Sequence, residues 1–320
     1  MGIFDTIKRH AAVAAGNFPA MLTGVDIPPL PSAVTRLLAE LRSADPDPSR
    51  ILRMISTSPE LMARVIRTVN SARFGLRQEV TGVRHALALL GCRQIRSIVL
   101  SYAVREALPR PRGRAFKHDA FWTDSLVRAL LARGIARYCG LTSERAEEAF
   151  TAALIADLAL PVLLVSWGDY YAPLLAQWDA GAARLSAVEG EQLGWTHAQA
   201  GAWMLQAWGF PDEIVCFVGA HGHEPAEIRA LELAATPALP VAIACLLPSG
   251  LAPHGARAAR LITAAREEAG LTPEQLADLA RAVAEQVQET RELFGLPAAA
   301  SVSGLEVLHD EIAGRRRPAA

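Results

Sequence analysis

Eight histidines, four cysteines and 33 carboxylates are the raw material for chemistry in this chain of 320 residues, and few of them are spaced to work together. Cys92, Cys139, Cys216 and Cys245 lie far apart with no Cys-x-x-Cys pair, so neither a zinc ribbon nor a thioredoxin-like redox centre is written here. Reduced structural thiols are expected. Phosphate-binding loops, dinucleotide fingerprints and nucleophile elbows are absent, which leaves metal-assisted hydrolysis by His and Asp on helices. Asp157 follows Leu154 by three residues and Phe150 by seven, which predicts that it shares an apolar helical face with Phe150, Leu154 and Leu158. A carboxylate there needs a partner. Ile214, Phe217, Val218 and His221 recur at i, i+3, i+4, i+7, turning His221 to the core, with His223 just beyond at the helix end. His197 opens the preceding helix. Asp157, His197, His221 and His223 read either as a metal cluster or, more simply, as hydrogen-bonded polar groups in an α-helical core. No two share an i, i+3 or i+4 spacing on one helix, so only the fold could assemble a cluster.

A second chemistry is nucleic-acid binding. Leu87 to Leu100 passes through Gly91-Cys92-Arg93-Gln94 in a helix-turn-helix-like way, with Arg96 nearby. The stripe Ile95, Ile98, Val99 and Tyr102 on the second helix favours plain packing instead. A net charge of −1 and a pI near 6.7 exclude a broadly basic, phosphate-wrapping surface. All but Lys8 and Lys117 of the 32 basic residues are arginine, a habit of composition that makes Arg clusters weak signals. Arg315-Arg316-Arg317 reads as a solvated tail that an acidic partner could use.

These residues must be positioned by helices. With 51% hydrophobic and 20% charged residues the chain is globular, and at roughly 150 residues per domain it holds about two packed units. The stretch from Met1 to Ala15 lacks the apolar run of a signal peptide, and the apolar windows at 152–165 and 240–247 are broken or too short to span a bilayer, so a cytoplasmic protein without a membrane segment is expected. Val34, Leu37, Leu38 and Leu41 mark a first helix after Ser32. Asp47-Pro48 and Ser58-Pro59 open two more, carrying Ile51 and Ile55, then Leu61, Val65 and Val69. Val83, Ala86, Leu87 and Leu90 form a stripe that stops at Gly91, and the next helix reaches Leu108. Pro109 to Arg114 is the clearest break. Beyond it, Phe121 to Tyr138 is one long helix, and the helix of Phe150, Leu154 and Leu158 ends near Pro161. Capping boxes announce three more starts: Ser186 with Glu189, Thr196 with Gln199, and Thr272 with Gln275. The last helix carries Leu276, Leu279, Val283, Val287 and Phe294 before Gly295 and Pro297, and Leu305, Leu308 and Ile312 form a short amphipathic stretch in the tail. No repeat period is visible.

The order of motifs carries a resemblance. Ile27-Pro28-Pro29-Leu30-Pro31 is followed by Ile55-Ser56 with Ser58-Pro59, then Asn70-Ser71-Ala72-Arg73-Phe74-Gly75, then Val83 to Gly91. Phe121 to Leu126, Ala153-Leu154-Ile155-Ala156-Asp157, Gly194 to Gly201 around His197, and Trp208-Gly209-Phe210-Pro211 leading to His221 complete the set. This pattern resembles the HDOD family, the HD-related output domains of bacterial signalling proteins, over 25–225. The resemblance implies an all-α, two-lobed helical fold, with lobe one at 25–108, a linker at 109–115 and an HD-like lobe at 116–225. The N-terminal segment 1–24, C-terminal helices at 226–297 and a tail at 298–320 lie outside it. Pro28, Pro29, Leu30, Pro31, Asn70, Ser71, Phe74, Gly75, Gly91, Trp208 and Pro211 are expected to be structural motif residues. Related HD phosphohydrolases build a metal site from a histidine, a His-Asp dyad and later ligands. Here Asp124 stands at the first histidine's position and the dyad reads Ala156-Asp157, so Asp124, Asp157, His197, His221 and His223 are expected to be vestiges of that site, without metal, cofactor or catalysis. The function implied is a non-catalytic signalling module that binds protein partners and senses a nucleotide second messenger, with a homodimer as one arrangement. A metal-dependent phosphohydrolase with a degenerate site is the alternative, and a DNA-binding regulator a weaker one.

Overall fold

The structure is a computed structural model that describes residues 29–30, 32–41, 47–56, 59–70, 80–111, 116–180, 183–249, 255–290, 296 and 303–314. Among these residues it is all-α, with no strand element. Three short helices lead, α1 (Ser32–Leu41), α2 (Pro48–Ser56) and α3 (Pro59–Val69), burying Val34, Leu37, Ile51, Ile55, Leu61, Val65 and Val69 as their spacing predicts. The Asp47 carboxylate accepts the Ser49 amide at 2.8 Å and so caps α2. Asn70 closes α3 differently. Its side-chain amide donates to the Val80 carbonyl at 2.7 Å while its Oδ1 accepts the Val80 amide at 2.6 Å, tying the end of α3 to the approach of the next helix.

Helix α4 (Val83–Ala107) bends at Gly91, whose φ of 71° and ψ of 166° interrupt the helical ladder and make two stripes, as expected. Ile95, Ile98 and Val99 are buried, which is the packing role predicted for this junction. The side chains of Cys92, Arg93, Gln94 and Arg96 fall outside the described set, as do Pro28, Pro31, Ser58, Ser71, Phe74, Gly75, Arg112 to Ala115, Phe294, Gly295, Pro297 and the Arg triplet.

Helix α5 (His118–Tyr138) is the central post. Its middle carries Phe121, Trp122, Leu126, Val127, Leu130, Leu131 and Ile135 on more than one face, so the helix has to be enclosed. Phe121 to Arg133 are all buried. Thr123 and Ser125 satisfy their hydroxyls on carbonyls one turn back, at 2.7 and 2.8 Å. Helices α6 (Ser143–Leu154) and α7 (Ala159–Ser166) follow, separated by a turn at Ile155 to Leu158. Two expectations need correction here. Pro161 does not end a helix; it sits in the first turn of α7, where a missing N–H is not needed. Asp157 lies in the turn itself rather than on a continuous helical face. The Leu158 amide bonds to the Ile155 carbonyl at 3.1 Å and the Leu160 amide to the Asp157 carbonyl at 2.9 Å, so the chain redirects while staying buried. The stretch Ser143–Trp178 is apolar enough to cross a membrane, but it is broken by these turns and mostly buried inside the protein.

Next come α8 (Gly168–Ala180), α9 (Leu185–Leu193), α10 (His197–Ala207), α11 (Asp212–Ala220), α12 (Pro225–Ala230), α13 (Ala238–Ala244), α14 (Gly255–Ala269), α15 (Pro273–Thr290) and α16 (Ser303–Ile312). α15 and α13 pack on α5, and α14 and α15 hold α16. A Cβ at Gly134 would overlap the Leu279 side chain, so this glycine lets α15 approach α5 closely.

Candidate functional site

Four segments bring the site together. His197 is the first residue of α10, placed by a complete capping box: Thr196 Oγ1 accepts the Gln199 amide at 3.3 Å and Gln199 Oε1 accepts the Thr196 amide at 2.9 Å. His221 follows α11 as its C-terminal cap, and its Nδ1 donates to the Val218 carbonyl at 2.5 Å. Asp157 enters from the turn between α6 and α7. The three side chains meet: His197 Nε2 stands 3.1 Å from Asp157 Oδ1 and 3.1 Å from His221 Nε2, and His221 Nε2 stands 3.3 Å from Asp157 Oδ1. All three residues are buried, and one ligand-type atom from each falls within 4.8 Å of the others. Three of the four polar residues that the sequence offers as a cluster, Asp157, His197 and His221, are therefore brought together.

The fourth segment was not foreseen. Arg128 on α5 reaches Asp157 Oδ2 with its Nη1 at 2.6 Å. The sequence holds a signal for it, since a charged residue between Leu126-Val127 and Ala129-Leu130-Leu131 demands a buried counter-charge. Glu189 was foreseen in the wrong role. α9 begins two residues too early for a Ser186 cap, with Arg184 at the capping position, and the expected box does not form. Ser186 Oγ donates to the Gly222 carbonyl at 2.9 Å instead. Glu189 Oε2 accepts the His197 amide at 2.9 Å and meets its Nδ1 at 2.7 Å, while Oε1 accepts the Tyr171 hydroxyl at 3.1 Å. A buried imidazole outcompetes the local cap for this carboxylate.

These contacts fix the charges. Burial works against ionisation of Asp157, but the Arg128 guanidinium and the hydrogen bond from His197 hold its carboxyl well below the usual range. Burial equally opposes the Arg128 charge, and Asp157 more than offsets it. His197 is pushed up to about 10, because Glu189 and Asp157 together overcome its desolvation. His221 goes the other way: burial lowers it, and the neighbouring His197 charge adds to that despite Asp157. The proton positions follow. His197 carries both protons, one toward Glu189 and one toward Asp157 and the acceptor nitrogen of a neutral His221. Two cations, Arg128 and His197, face two anions, Asp157 and Glu189.

The other expected members lie apart. Asp124 Oδ2 accepts the Ser249 hydroxyl at 2.7 Å on another side of the same cavity, and His223 is half exposed, with Nδ1 3.3 Å from Glu227. The cavity offers about 70 Å³ of space beside the cluster, and Cys245 lines it, its thiol pushed up to about 12 mainly by burial. Trp208 and Pro211 cap α10 and α11 on the path to His221.

A family model described as HDOD domain matches residues 27–225, well over half of the chain. The chain belongs to the HDOD family. Among solved structures, this HDOD chain is similar to an HDOD domain protein of unknown function from Geobacter sulfurreducens, with a TM-score of 0.66 and 21% identity over 90% of this chain and 99% of the other. It also resembles a Shewanella amazonensis protein described provisionally as a phosphohydrolase, with a TM-score of 0.57 and 23% identity over 94% of this chain and 98% of that one. At these identities the likeness establishes the all-α HDOD fold and nothing of the activity. An uncharacterized protein of Treponema pallidum (strain Nichols) is 24% identical over 222 residues, 64% of this chain and 40% of that protein. The HDOD chain thus spans well under half the length of that curated relative.

Proposed function

We propose that this chain is a non-catalytic cytoplasmic signalling module that acts by binding a protein partner, and that an internal ion-pair network has replaced its HD-type metal site. The observation that carries this reading is the Arg128 guanidinium at 2.6 Å from Asp157. It supplies the positive charge that a divalent ion would bring to that carboxylate. The donor set fits a metal poorly. Glu189 and Asp157 favour the doubly protonated form of His197, and Arg128 engages Asp157, so in this network two of the three ligand-type side chains are already committed. A bound ion would have to displace Arg128 and deprotonate His197, upsetting a network whose charges already balance. Asp124 and Ala156, at the two positions where the resemblance to HD phosphohydrolases implies histidines, support the same reading. Without an activated water no phosphoester or cyclic dinucleotide is turned over.

The convergence of Asp157, His197 and His221 within 4.8 Å favours one other reading, a phosphohydrolase with a degenerate metal site. Metal analysis of the purified protein, paired with a phosphodiesterase assay in added manganese or iron, separates the two. The expected result is far less than one metal per chain and no turnover. Turnover abolished both by chelation and by Asp157→Ala would overturn the non-catalytic reading.

A further inference from the structure

The cavity beside the histidine cluster is a composite. Arg128, Asp157, Arg184, His197 and His221 come from the family-matched region, whereas Cys245, Ser249, Arg257 and Arg260 come from the chain that follows it. Four guanidiniums, those of Arg128, Arg184, Arg257 and Arg260, line the cavity against two carboxylates, Asp124 and Asp157. The excess sits at one wall. Arg184 is almost wholly buried and donates to the carbonyls of His221 and His223, which are neutral acceptors. Its carboxylate neighbour, Glu224, is 4.0 Å away, and the other oxygen of Glu224 takes a 2.5 Å hydrogen bond from Arg260. One carboxylate therefore serves two guanidiniums. The inner charges do not absorb the surplus, since Arg128 is matched by Asp157 and His197 by Glu189.

The lining also includes the apolar side chains of Leu160, Leu164 and Leu175, and Trp178, whose ring the Arg257 guanidinium covers at 4.5 Å. A space of 70 Å³ holds about five water-sized groups, which is the size of a phosphoryl group with its oxygens. Such a group carries three acceptor oxygens and up to two charges, enough to engage two guanidiniums at once, which a carboxylate does less well. We propose that this cavity binds a phosphoryl group, that of inorganic phosphate or of a small phosphate monoester whose remainder lies outside the cavity, held by Arg184 and Arg260. Helix α14, beyond the family-matched region, completes the site by contributing Arg260. The proposal rests on the metal-free reading of the cluster, because a metal would itself recruit phosphate.

The test titrates the full chain at constant ionic strength with inorganic phosphate, phenyl phosphate and acetate, following tryptophan fluorescence and the thermal midpoint, with metal content measured on the same sample. Saturable binding of phosphate and of phenyl phosphate, both much tighter than that of acetate, is expected. The Arg260→Gln variant, altered at a partly exposed side chain, should bind about tenfold more weakly. Arg145→Gln, whose ion pairs with Glu148 and Glu213 lie outside the cavity, should bind as the parent does. Absence of saturation in metal-free protein, equal binding by Arg260→Gln, or equal affinity for acetate overturns the proposal. Phosphate binding that appears only with stoichiometric metal and vanishes on chelation overturns the metal-free reading instead.

Discussion

Two arginines on α5, little more than one turn apart, are buried in opposite ways. Arg128 meets Asp157 at 2.6 Å and is held above its usual range. Arg133 meets Glu147 at only 3.5 Å, donates to Gln286 on α15 at 2.5 Å and lies 5.5 Å over the Phe150 ring, and burial pulls it down to about 10. The first is locked into a charge-balanced network of short contacts. The second is a staple between α5, α6 and α15, stabilised by packing and a neutral amide as much as by charge. Burial alone therefore does not say what a charged side chain contributes; the distance to its counter-charge does.

Substitution should separate the two sites. Arg128→Met leaves Asp157 buried without its cation and should destabilise the protein by about 3–5 kcal/mol, measured by chemical denaturation. Asp157→Ala should cost as much, with Asp157→Asn milder because an amide can keep one bond. An unchanged midpoint for Arg128→Met would erase the distinction from Arg133.

The pH dependence sharpens the comparison next. His197 has its folded value raised to about 10 from the ordinary 6.5, so its contribution is complete below pH 6.5 and is lost as pH rises through 10. Stability should fall across that alkaline window, and His197→Gln should flatten the fall. On the acid side Asp157, held below 3.8, and His221, held below 6.5, both contribute stability that is present above those values and lost as pH drops. Denaturation midpoints between pH 3 and 10 check both limbs. The smallest effect belongs to the other arginine: Arg133→Met should cost only about 1–2 kcal/mol, since methionine keeps most of the packing and only a long ion pair and one amide bond are lost.

The sequence is most legible where structure is local. Thr196 with Gln199 and Thr272 with Gln275 form the capping boxes their spacing predicts, and the first of them delivers His197 to the site. Ser186 with Glu189 is spelled the same way and fails, because Glu189 is claimed by Tyr171 and His197 from other helices. Asp157 was placed near its true depth but on the wrong element, since helical periodicity cannot see a turn that stays buried. Arg128 is not legible as a site residue, because its partner comes from a distant turn and no spacing rule links the two. Local hydrogen bonds are written in neighbouring letters, whereas the counter-charges of a buried network are chosen by the tertiary fold.

That network has a consequence for how fast the molecule comes apart. Arg128, Asp157, Glu189, His197 and His221 arrive from five separate segments of the chain, so their mutual contacts can close only after those segments have docked. Contacts formed that late are absent from the transition state for folding, and breaking them acts on the unfolding rate while leaving the folding rate almost untouched. We expect the arginine at the centre of this network to work as a brake on opening, and its replacement by methionine to shorten the lifetime of the native state without slowing its formation.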